Sequence, residues 1–105
     1  MAAINRRQKL EGMLAASPND QMLRYMLAME LEKESDHERG LELFRSLMSD
    51  ALPYVPAFLM AGQLLARLER TDDARLTYQT GITEAKKQKN DHAAGEMAGF
   101  LQALD

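Results

Sequence analysis

The chain has 105 residues, 46% hydrophobic and 28% charged, with no cysteine and a formal net charge of −3. That length suits one domain with an elongated core that buries roughly two-thirds of the unfolded chain's surface. The missing thiols exclude disulfide and thiol redox chemistry, and interspersed charges of both signs argue against nucleic acid or anionic lipid as a partner.

Leu10, Met13 and Leu14 form one apolar stripe, which predicts a first helix over about 3 to 16. Ser17-Pro18-Asn19-Asp20 breaks the chain and supplies helix-start residues. Leu23, Leu27 and Leu31 then recur at the spacing of a buried helical face, broadened by Met22, Met26 and Met29. Ser35 followed by Glu38 reads as a capping box that opens a third helix, whose stripe is Leu41, Phe44, Leu47 and Met48 and which lasts to about Asp50. Pro53 and Pro56 interrupt, and Pro56, tolerated in a first turn, opens a fourth helix through Phe58, Ala61, Gly62, Leu65 and Leu68 to about Glu69. Thr71 with Asp72 and Asp73 reads as a cap with first-turn acids for a fifth helix that turns Tyr78 and Ile82 inward. Lys86, Lys87 and Lys89 suit the negative end of its dipole, and Asn90-Asp91 caps a sixth segment from about 91 to 104. Nothing alternates with period two over a useful length, so no sheet is expected.

The chain nearly matches itself when slid by 34 residues. Ala28, Leu31, Gly40, Phe44 and Met48 fall on Gly62, Leu65, Ala74, Tyr78 and Ile82, so size and polarity recur where identity does not. Such a period marks a helix-hairpin repeat, in which two backbones cross closely only at small residues while large neighbours fill the grooves between hairpins.

On these residues the chain resembles the tetratricopeptide repeat family, with repeats at 21–54 and 55–88. Ala28 and Gly62 match the family's small residue of the first helix, Gly40 and Ala74 that of the second, Phe44 and Tyr78 its aromatic, and Leu31 and Leu65 its large core position. Residues 1–20 look like the second half of a preceding repeat and residues 89–105 like the first half of a following one. Departures from the pattern are Arg6 at the small position of that first half, and Ser35 and Glu69 where the family often has glycine. The layout is similar to that of small stand-alone bacterial proteins of this class. The resemblance implies an all-α, right-handed stack of about six antiparallel helices forming one domain over 1–105.

It further implies a concave ligand face on the first helix of each pair. Carried over residue by residue, that face comprises Met22, Tyr25, Met29 and Lys33 in one repeat and Leu59, Gln63 and Arg67 in the next, with Ala93 and Met97 from the sixth segment. An apolar, methionine-containing groove with a basic edge suits an amphipathic helix or apolar peptide of another protein. The same surface could instead pair with a second copy of the chain. Relatives that clamp terminal carboxylates use Lys and Asn where Tyr25, Met29 and Gln63 stand here, so that mode is not expected.

Other constellations offer little chemistry. His92 and Glu96, four apart, make a solvated pair and lack a third ligand for a metal. His37 lies in an acidic turn, Asp72 and Asp73 are explained by the helix dipole, and Arg6, Arg7 and Lys9 read as a solvated basic cluster. Gly95 and Gly99 imply either close helix approach or fraying, and the spacing leaves both open. No nucleophile–base pair, phosphate loop or cofactor motif is recognisable, so no enzyme, metal or cofactor is expected. With no stretch of roughly 20 apolar residues and no secretory leader, the sequence suggests a cytoplasmic protein.

Overall fold

Six helices and no strand make up the described residues, 3–104, of the computed structural model. They are α1 (Arg6–Ala16), α2 (Gln21–Lys33), α3 (His37–Met48), α4 (Val55–Arg67), α5 (Thr71–Lys87) and α6 (Asp91–Gln102). Residues 1, 2 and 105, at the ends of the expected domain, lie outside the described residues. The fold is all-α, and its helices follow one another as helix-turn-helix units. The chain divides into two compact units, the first ending at Leu47 and the second starting at Met48.

Helix starts follow side-chain chemistry at four of the six places. Asn5 and Gln8 form a capping box, with the Gln8 amide donating to Asn5 Oδ1 at 2.8 Å and the Asn5 amide to Gln8 Oε1 at 3.2 Å. Asp20 accepts from the Leu23 amide and Asn90 from the Ala93 amide, satisfying first-turn donors that the helix itself leaves open. Pro56 lies in the first turn of α4 as expected, where its missing N–H costs nothing.

Two expected caps are corrected. Ser35 does not start α3. Its φ of 62° places it in the left-handed region, where it ends α2. The Ser35 amide donates to the Glu32 carbonyl and the Asp36 amide to the Leu31 carbonyl, the double bond of a Schellman ending. The same pattern recurs at Glu69, with φ 61°, and at Lys89, with φ 60°. Thr71 likewise lies inside α5, and Arg70 occupies the cap position without a side-chain bond. In each case the residue after the left-handed one both closes the preceding helix and opens the next. Asp36, Arg70 and Asn90 therefore serve two helices each, which leaves only short turns between them.

In the first unit Leu10, Leu27 and Leu31 form a buried cluster against which Leu14, Leu23, Met26 and Leu43 pack. The α2 and α3 backbones approach closely at Gly40, where an added Cβ would lie 3.5 Å from the Ala28 carbonyl oxygen. In the second unit α5 packs against both α4 and α6. Its core includes Phe58, Gly62, Leu65, Tyr78, Gly81 and Met97. Gly81 had no assigned role in the sequence, yet a Cβ there would lie 2.6 Å from both Met97 Sδ and Phe58 Cβ.

The period is not constant. α4 starts 34 residues after α2, but α6 starts 36 residues after α4. The reason is α5, which runs for 17 residues where α3 runs for 12 and leads into α6 through a shorter turn. On the 36-residue step Ala61 corresponds to Met97, Gly62 to Ala98, Leu65 to Leu101, and Leu59 and Gln63 to Gly95 and Gly99.

Candidate functional site

The residues expected on a ligand face divide between the two units. In the first, Tyr25 is half-buried and its ring tilts against that of Phe44, with centroids 6.1 Å apart. Met29 is half-buried and Lys33 exposed, its Nζ 3.8 Å from Glu30 Oε2. Met22 is 62% exposed and faces another way, lining a groove between α1 and α2 with Leu10, Met13, Leu23 and Met26.

In the second unit Gln63 and Arg67 come together on α4. With Ala66, Tyr78 of α5 and Phe100 of α6 they line an open hollow of about 390 Å³. Phe100, 41% exposed, stacks on Tyr78 with centroids 6.1 Å apart and planes 15° from parallel. Burial pushes the Tyr78 hydroxyl above its ordinary range, and the Arg67 guanidinium partly opposes that shift by favouring the phenolate. Arg67 is the only charged side chain of α4 and the only one lining the hollow. The floor is thus aromatic, one edge carries an amide, and another carries a positive charge. Leu59, one turn before Gln63 on α4, is half-buried.

Met97 is corrected. It is fully buried against the Gly81 position and belongs to the core rather than to a ligand face. The lengthened α5 rotates α6 out of the 34-residue phase, so the positions equivalent to Leu59 and Gln63 are held by Gly95 and Gly99. A Cβ added at either glycine would meet nothing within 4 Å, so these two residues of α6 mark no close helix crossing. No sequence signal pointed to Phe100, because counted from cap to cap, from Tyr54 to Asn90, it corresponds to the buried Leu64.

The basic cluster near the start has partners within its own unit. Arg6 Nε lies 3.3 Å from Glu30, and Arg7 bridges Glu34 at 3.0 Å and Glu11 at 3.2 Å, tying α1 to the end of α2. His37 Nδ1 lies 2.8 Å from Glu32, and exposed His92 lies 3.4 Å from Glu96. Among the described residues no three potential metal ligands cluster, and no helix is long and apolar enough to cross a membrane.

No protein-family model matches the chain, and no curated protein does. Solved structures do. A solution structure of a tetratricopeptide repeat domain protein from Salinibacter ruber is 34% identical with a TM-score of 0.79, covering 84% of this chain and 89% of that one. A crystal structure of a tetratricopeptide repeat domain protein from the same organism is 34% identical with a TM-score of 0.74, covering 81% of this chain and 96% of that one. A solution structure of a protein from Bordetella parapertussis, 24% identical with a TM-score of 0.79, shares the fold over 99% of this chain and 89% of its own.

Proposed function

The chain belongs to the tetratricopeptide repeat family, and from that premise we propose that it is a non-catalytic interaction module that binds a peptide or helix of another protein. The fold generally mediates protein–protein interaction. The observation that carries the reading here is the hollow at Gln63, Arg67, Tyr78 and Phe100, a partly exposed aromatic floor beside a single cation. Such a surface suits an apolar side chain of a peptide, with Gln63 and Arg67 holding its polar groups. Leu59 extends the same helix face, and Tyr25, Met29 and Lys33 are the corresponding candidates in the first unit. Met97 has no part in it.

The test compares wild type with Phe100→Ser and, as a control, Leu76→Ser, which alters an exposed leucine outside the hollow. Solution mass is read first across a concentration series. A monomer whose captured partner is lost in Phe100→Ser and kept in Leu76→Ser supports the reading. A wild-type dimer that Phe100→Ser converts to monomer replaces it with self-association through this surface. Equal capture by all three proteins removes the hollow from consideration.

A further inference from the structure

A second surface, independent of the hollow at Phe100, lies wholly within the first unit. Leu10, Leu23 and Met26 floor a groove of about 330 Å³ between α1 and α2. Met13 and Met22, 46% and 62% exposed, stand along it, and Arg6 and Lys9 complete the lining. No carboxylate lines this groove. Large apolar side chains on a surface cost free energy unless something covers them, and flexible methionines adapt to varied apolar partners.

The second unit contains the same helix pairing with its face filled. Two periods of 34 carry Leu10 onto Tyr78 and Met13 onto Gly81. At Gly81 the neighbour is Phe58 of α4, an amphipathic helix laid against α5. At Met13 no described residue plays that part, and the side chain remains exposed.

We propose that the groove between α1 and α2 is a docking site for an amphipathic helix of another protein whose apolar stripe is flanked by acidic residues. The apolar stripe covers Met13, Met22 and Met26, as Phe58 covers Gly81 in the other unit. The acidic flank follows from charge complementarity at Lys9, because no carboxylate lines the groove and the other cation of the lining, Arg6, already pairs with Glu30. A second copy of the chain is a poorer occupant. α4, its most apolar helix, carries no acidic residue, and α6, which carries Asp91 and Glu96, exposes Phe100 but no continuous apolar stripe, Ala94 and Met97 being buried.

The test uses two synthetic helical peptides of about fourteen residues, near the shortest length that sustains helix in water. Both carry Leu at i, i+3, i+4 and i+7 with a central Phe. One is flanked by Glu and the other by Lys. Binding is read from the methyl signals of methyl-labelled methionines, assigned by single substitution. The expected result is a saturable shift of Met13, Met22 and Met26 with the Glu-flanked peptide, bound about fivefold or more tightly than the Lys-flanked one. Lys9→Glu, an exposed substitution, should narrow or reverse that preference while leaving the thermal melt in place. Met22→Glu should weaken both peptides. Equal binding of the two peptides, shifts confined to Met97, or no shift at the three methionines would overturn the proposal. So would signals at these methionines that move with protein concentration alone, since the occupant would then be a second copy.

Discussion

The Tyr78 ring lies directly over Gly62, so that a Cβ added at Gly62 would come within 2.6 Å of the ring's Cζ and closer still to its edge. This contact between α4 and α5 is what a small residue at that position permits. It also reverses the usual effect of glycine in a helix. An interior glycine costs roughly 1 kcal/mol relative to alanine, but overpacking a buried ring costs about 1–3 kcal/mol. Gly62→Ala is therefore expected to destabilise by about 1 kcal/mol, and Gly62→Leu by more. Gly99→Ala, with open space around it, should stabilise by about 0.5–1 kcal/mol. Thermal melts check both signs, each kcal/mol corresponding to about 4–8 °C for a domain of this size. Equal upward shifts would show that the ring moves aside freely.

The left-handed residues at helix ends offer an independent gain. Ser35, Glu69 and Lys89 hold positive φ without being glycine. A side chain in that region crowds its own carbonyl, and glycine does not. Glu69→Gly is expected to raise stability by about 0.5–1 kcal/mol even after the added freedom of the unfolded chain, whereas branched Glu69→Val should lower it. Equilibrium denaturation of the pair decides. A loss on Glu69→Gly would mean that the glutamate side chain contributes more than its backbone strain costs.

Alkaline stability should depend on Tyr78. Its hydroxyl is held above the ordinary value of 10.0, chiefly by burial. The folded state therefore keeps a proton that the unfolded state releases first, so the contribution is complete below pH 10 and is lost as pH rises through the higher folded value. Tyr78→Phe retains the ring but not the proton, and its stability should fall less steeply across that alkaline window than that of wild type. Parallel curves for the two proteins would rule this out.

Arg7 links α1 to α2 through Glu34, at 3.0 Å with both side chains partly exposed. Pairs of this exposure contribute about 0.2–1 kcal/mol and weaken with salt. A double-mutant cycle of Arg7→Ala and Glu34→Ala should return a coupling in that range at low ionic strength. A coupling near zero would leave Leu10 and its apolar neighbours as what holds α1 in place.

The sequence by itself determined the number of helices, most of their ends and the small positions Gly40 and Gly62, whereas the packing of Tyr78 on Gly62 within one hairpin was decided by the structure. The former are short-range properties. Apolar spacing, prolines and caps such as Asp20 and Asn90 act within a turn or two of where they stand, so they are legible without a tertiary context. Gln63 and Arg67 were expected from the family resemblance alone, and they stand one turn apart on α4 beside the same hollow.

Tertiary structure decided the rest. Ser35 carried a valid N-cap pattern and a valid C-terminal position at once, and the second prevailed because α2 buries Leu31 and the following turn must close on its carbonyl. Met97 was displaced from the ligand face by two residues of extra spacing before α6, and two residues turn a helix face by about 200°. Which face a helix presents is a phase, and that phase is set by where the preceding helix ends against its neighbours. The stacking of Phe100 on Tyr78 and the exposed methionines between α1 and α2 arise from that packing, and no local pattern encodes them.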